Sequence, residues 1–237
     1  MHPTTDGRYR VLGRPHDPAE LLLLSVEAID ADRVPTEPVA GAGGAEPTDS
    51  ADSVDSADSA DALAPVYLDT ERFDYEGDLA ATVEALRAGV LVDATIEWVD
   101  GDPRFDAVSV VAETAFEFYD DVTGLFEAAK RTWMVAEGDN APMHGRVTKN
   151  TDGDPNGALY VFAKQSGARD LFEEFRTGVT PLDPLVRRAD RAESVPPERD
   201  QARAVFVLRP VAEPFVVVYV VFRRDGVLAE ALRSTYG

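Results

Sequence analysis

Between residues 90 and 136 the hydrophobic period changes from two to between three and four, and this change constrains the fold more tightly than any other stretch. Val90, Val92, Ala94, Ile96 and Trp98 alternate with Asp93, Thr95 and Glu97, the period of a strand with one buried and one wet face. Asp100-Gly101-Asp102-Pro103 follows, in which Gly accepts positive φ and Pro withholds a ladder donor, so the chain reverses. Alternation resumes at Phe105, with Val108, Val110, Phe116 and Phe118 on one side and Ser109, Glu113 and Glu117 on the other. Residues 105–118 are therefore expected to form the second strand of a hairpin. Val122, Leu125, Phe126, Ala129, Trp133 and Ala136 then mark one face of a helix. Asp120-Asp121 sits where its N-terminal dipole favours negative charge.

This ββα order recurs. Tyr9, Val11 and Leu12 precede the run Leu21-Leu22-Leu23-Leu24, giving a first hairpin, and Leu79, Val83 and Leu86 mark a helix that stops at Gly89. Residues 143–148 and 158–163 flank a reversal rich in Asp-Gly and Asn-Gly pairs, and Leu171, Phe172 and Phe175 open a third helix. Residues 205–208 and 215–222 are apolar on both faces, as in the middle of a covered sheet. Leu228, Ala231 and Leu232 close the chain with a helix. The expected fold is a single α+β domain over residues 1–237, with antiparallel β hairpins each followed by a helix and a ββα internal repeat as its candidate plan. Residues 180–200 carry Pro181, Pro184, Pro196 and Pro197 with Arg187, Arg188 and Arg191, and are expected to be a surface connection containing one helical turn. Residues 31–64, dominated by Asp, Ser and Ala, bury too little to offset their ordering entropy and read as a disordered acidic insertion.

Forty-four Asp and Glu stand against 23 Lys and Arg, a formal net charge of −21, and the lysines are Lys130, Lys149 and Lys164 alone. Through this scarcity of Lys, and through the string Val92-Asp93-Ala94-Thr95-Ile96-Glu97-Trp98 continuing to Thr123-Gly124-Leu125-Phe126-Glu127, the chain resembles an uncharacterised haloarchaeal protein family. The resemblance implies lineage and a cytoplasmic setting, and carries over no site residues. In molar salt the Debye length is about 3 Å, so net charge reports solvent more than partner. The absence of Cys excludes disulfides and thiolate chemistry. No apolar run approaches the ~20 residues of a spanning helix. No membrane partner, cofactor or metal is expected, and nucleic acid ranks last among partners.

Two stretches invite chemistry. Asp152, Asp154, Asn156 and Gly157 match the first half of a calcium loop, but its twelfth position is Ala163 where a bidentate Glu is needed, leaving an acidic hairpin turn. Residues 143–149 gather His144, Arg146 and Lys149 in an otherwise acidic chain. Strand alternation puts His144, Arg146 and Thr148 on one face with Lys149 opposite. Such a patch can bind a phosphate or carboxylate, or it can pair with neighbouring Asp and Glu. The expected function is a non-enzymatic binding or adaptor protein for a small anion or protein partner, with His144, Arg146 and Lys149 as ligand-binding residues. The enzyme alternative is a hydrolase or transferase using scattered Asp, Glu and His144. If the charge excess is a solvent adaptation, stability rises steeply as KCl goes from tens of millimolar to molar, because self-repulsion is screened. Circular dichroism melts against KCl check this, and equal stability at low salt contradicts it.

Overall fold

The computed structural model describes residues 2–14, 17–27, 65–164, 167, 169–192 and 202–237. The insertion expected at residues 31–64 lies outside them. Two five-stranded sheets organise the described chain. The first has the order β3-β2-β1-β4-β5, from β1 (Thr4–Gly13), β2 (Glu20–Ser25), β3 (Val66–Asp69), β4 (Leu91–Val99) and β5 (Asp102–Ala112). The second has the order β6-β9-β10-β8-β7, from β6 (Ala115–Val122), β7 (Met143–Lys149), β8 (Pro155–Ala163), β9 (Ala204–Pro210) and β10 (Phe215–Val221). All pairings are antiparallel except β6 with β9. The helices are α1 (Gly77–Ala85), α2 (Glu127–Gly138), α3 (Leu171–Thr177), α4 (Asp183–Ala192) and α5 (Val227–Tyr236).

The α+β class with hairpins and helices in succession is the observed one. The β4–β5 hairpin turns on Asp100 (φ 55°) and Gly101 (φ 95°), two consecutive positive φ values of the kind that match strand twist in a two-residue loop. Val92, Ala94 and Ile96 are buried with Val83 of α1 and with Leu86 at its C-terminal cap, as alternation demands. Leu21 and Leu23 join that same core, whereas Leu22 and Leu24 join a second core on the opposite face. The run of four leucines thus marks a strand covered on both sides. In the second sheet Val205, Val207, Val216 and Val218 face α3 and α4, and Phe206, Leu208, Phe215 and Val217 face α2 and α5. The layers are α1, first sheet, α3 with α4, second sheet, and α2 with α5.

Three expectations are corrected. Residues 105–118 are not one strand: β5 ends at Ala112 in the first sheet and β6 begins at Ala115 in the second. The crossing is held at buried Thr114, whose Oγ1 accepts from the Arg203 N–H, and at Ala115, whose N–H donates to the Arg203 carbonyl. Alternation continues across the break because both halves have one buried face. Helix α2 therefore follows β6, starts at Glu127, and leaves Asp120-Asp121 within the strand. The third correction is α4, which occupies the first part of the expected surface connection. Leu182, Leu185, Val186 and Ala189 are buried between the sheets, with Pro184 in the first turn, where a missing N–H costs nothing. Each helix or helix pair follows two or three strands, and the pairing of the hairpins does not repeat along the chain. Hairpins β1–β2 and β4–β5 join through their first strands, whereas β7–β8 and β9–β10 join through their second.

Two buried arginines hold α4 in place. Arg10 of β1 donates through Nε and Nη2 to Asp183 Oδ1 at 3.0 and 2.7 Å, and through Nη1 to the Gly89 carbonyl at 2.7 Å. Its guanidinium lies 5.5 Å from the Phe116 ring centroid. Gly89 has no room for a side chain, since a Cβ would stand 2.4 Å from the Phe116 nitrogen. Arg203, at the threshold of β9, donates to Asp190 at 2.9–3.0 Å and to the Phe222 carbonyl at 2.7 Å. Asp183 and Asp190 are seven residues apart, hence on one side of α4. Removing one partner of a buried pair leaves an uncompensated charge, worth about 3–5 kcal/mol, while apolar replacement of both is often near neutral. Arg10→Met and Asp183→Leu are each expected to destabilise by that amount, and the double variant by much less than their sum. A double-mutant cycle in urea checks this, and additivity contradicts it.

Candidate functional site

Strand β7 is one edge of the second sheet, bonded to β8 alone. Its register pairs Met143 with Phe162, His144 with Val161, Gly145 with Tyr160 and Arg146 with Leu159. Phe162 and Tyr160 belong to the core shared with α3 and α4, and Val161 and Leu159 to the core under α2. His144, Arg146 and Thr148 therefore share the α2 side, as alternation predicts, and Lys149 follows a slip of register after Thr148. Gly145 is required where it is, because a Cβ there would meet the Tyr160 ring at 2.5 Å.

Thr148 anchors this strand. Its hydroxyl accepts from the Tyr219 phenol at 2.9 Å and donates to Asn156 Oδ1 at 2.8 Å. Burial raises the Tyr219 pKa, against the opposing pull of that hydrogen bond and of the Arg146 charge. The reversal beyond β7 is closed on itself: Asn150 Oδ1 accepts from the Asp152 and Asp154 N–H groups at 3.0 and 2.8 Å. Among the described residues no group of three His, Asp or Glu side chains gathers to hold a metal.

Many of the arginines are held in ion pairs, whereas Arg131 and Arg223, like the cations of β7, have no such partner among the described residues. Arg8 pairs with Asp93, Arg104 with Glu97, Arg176 with Glu173 and Arg233 with Glu117 at side-chain separations of 2.6–2.7 Å, and Arg169 pairs with Glu174. Arg209 bridges Asp120 and Asp170 while lying over the Phe172 ring. Among the described residues the side chains of His144, Arg146 and Lys149 have no hydrogen-bond or ion-pair partner, and Arg146 and Lys149 are exposed. Among the described residues no neighbouring Asp or Glu pairs with them.

The carboxyl groups whose pKa moves all move down, each because an arginine hydrogen-bonds it: Asp93 through Arg8, Asp120 through Arg209 and Glu174 through Arg169. Such groups stay charged and make poor proton donors near neutrality.

Two grooves lie elsewhere. One, of about 800 Å³, runs over the wet face of the first sheet beside α4 and is lined by Arg8, Asp93, Thr95, Ser109 and Arg187 among others. The other, of about 620 Å³, lies where the chain crosses between sheets and is lined by Arg87, Val110, Glu113, Arg224 and Arg233 among others. His144, Arg146 and Lys149 line neither, so the three cations form an exposed strand edge and not the mouth of a pocket. The arginines of the second groove come from the turn after α1, the segment before α5 and α5 itself. Sequence reasoning missed them together because no local pattern links positions so far apart.

A family model described as a family of unknown function, DUF6663, matches the chain over residues 1–237, and the chain belongs to that family. No curated protein and no solved structure matches it.

Proposed function

From membership in a family of unknown function we propose that this chain is a non-enzymatic binding or adaptor protein whose partner carries negative charge, a small anion or an acidic protein segment. The partner meets it at β7, through His144, Arg146 and Lys149. The observation that carries this reading is the absence, among the described residues, of any partner for these three side chains in a chain of net charge −21. A cation surrounded by surplus carboxylate and still unpaired is available to an incoming anion. An exposed edge strand adds its outward backbone N–H and C=O groups to the same surface. The like charges on β7 oppose pairing with a second copy of itself and favour an acidic chain. The carboxylates tied to arginine favour binding over hydrolase or transferase chemistry.

We also place the protein in the cytoplasm of a halophilic organism. Lysine scarcity and acidic excess support the halophilic part. Among the described residues no helix is long and apolar enough to cross a membrane. In such a medium the Debye length is about 3 Å, so β7 recognises its partner by direct contact more than by long-range attraction.

Thermal shift at constant ionic strength tests the site, with inorganic phosphate and an oligoglutamate peptide as probes. The wild-type midpoint is expected to rise saturably with at least one of them. In Arg146→Ala combined with Lys149→Ala the shift is expected to vanish while the ligand-free midpoint stays unchanged, because neither side chain has an ion pair to lose. No wild-type shift together with a destabilised variant contradicts the proposal.

A further inference from the structure

We propose that the groove at the sheet crossing is a second recognition site, independent of β7, and that it binds a small amphiphilic organic anion, an acid head group on a short apolar body. At about 620 Å³ it falls within the roughly 300–1,000 Å³ typical of small-molecule sites. Its wall is apolar where α1 meets the first sheet: Ala85, Leu86, Val90 and Val110 line it, and Val110 is 46% exposed although it lies in a strand.

The polar lining supplies two guanidinium groups that can accept a new partner. Arg87 donates through Nη1 to the Glu84 and Leu86 carbonyls at 2.5 and 2.9 Å. These bonds cap the end of α1, and Nε and Nη2 have no partner among the described residues. Arg224 holds Glu113 through Nη1 at 2.9 Å and reaches Asp225 only at 3.3 Å. Those carboxylates are 65% and 74% exposed, so solvent already competes for them and they exchange readily. Arg233 lines the same groove but is fully engaged, by Glu117 at 2.6 Å and by the Arg224 carbonyl at 3.0 Å. It therefore positions the segment that carries Arg224. A planar acid group fits the fork of a guanidinium in two parallel hydrogen bonds, and the apolar wall selects ligands with a hydrocarbon portion over bare anions. The larger groove on the first sheet does not offer this. Its carboxylates Asp6, Glu27 and Asp93 outnumber Arg8 and Arg187, and Arg8 is already held by Asp93.

The test uses the full chain, with 8-anilinonaphthalene-1-sulfonate fluorescence at constant ionic strength and octanoate, octylammonium and inorganic phosphate as competitors. The expected result is single-site saturation, displaced by octanoate at concentrations where octylammonium and phosphate leave the signal intact. Arg87→Gln with Arg224→Gln is expected to weaken octanoate about tenfold or more, the loss of one strong charge-assisted contact. Ala85→Trp, which fills the groove from an exposed helix position and removes no charge, should weaken it similarly without lowering the melting midpoint. That variant decides the matter if the arginine double variant does not fold. Arg146→Ala with Lys149→Ala should bind the dye as wild type does, which separates this site from the β7 reading. Absence of saturable binding, equal displacement by octylammonium or phosphate, or unchanged affinity in Ala85→Trp would overturn the proposal.

Discussion

Two charges buried between the sheets are what the rest of the structure depends on. Arg10 is 5% exposed and Asp183 2%, and each would be costly to desolvate alone. Together they fix four segments at one point: β1, the bend at Gly89 before β4, the start of β6 through Phe116, and the first turn of α4. Asp183 Oδ2 has no hydrogen-bond partner among the described residues, so the pair is held there by the packing around it. Arg203 and Asp190 repeat the device seven residues along α4, toward the second sheet. An apolar helix in that position would be free to slide or rotate between two greasy faces. Directional bonds at both ends prevent this, and the crossing at residues 112–115 is held on the second sheet by the backbone of Arg203 itself.

Arginine serves throughout in roles that lysine fills poorly. Arg8 meets both oxygens of Asp93 through Nε and Nη2, at 2.7 and 2.9 Å, and Arg233 uses the same fork on Glu117. A compact ammonium cannot make two parallel bonds of this kind. Carboxylate excess therefore does not leave the surface as a uniform negative field. Many of the arginines are drawn into local pairs, and the side chains of β7 and the loosely held Arg224 are among the cations left available among the described residues. The two proposed recognition surfaces follow from that contrast and not from a catalytic motif.

Much of this architecture is legible in the residues, where local period and burial coincide. Val92, Ala94 and Ile96 alternate and are buried on one face; Leu21 to Leu24 do not alternate and are buried on both. The β4–β5 turn is readable from Asp100-Gly101 because positive φ there is a local requirement. The sheet crossing was not legible, since Val108 and Phe116 keep a common beat while serving different sheets. Helix α4 was hidden by Pro184 and by Arg187, Arg188 and Arg191, which suggest a solvated connection. Its apolar face of Leu182, Leu185, Val186 and Ala189 has helical spacing, but Asp183 gains its meaning only from Arg10, distant in sequence. The face of β7 bearing His144 and Arg146 was readable from alternation. Whether those cations were paired was a tertiary fact, as was the placing of Arg87 and Arg224 on one groove.

The central claim is that α4, clamped by Arg10 and Arg203, makes one cooperative body of the two sheets. Native-state hydrogen exchange measures this directly, because amides that open only with the whole molecule share one opening free energy. Under mild denaturant the amides of Leu22 and Leu24 in β2, Leu185 and Ala189 in α4, and Val207 and Val218 in the second sheet are expected to converge on a single value equal to global stability. Convergence of the two sheets on separate values, with α4 exchanging early, would contradict the account.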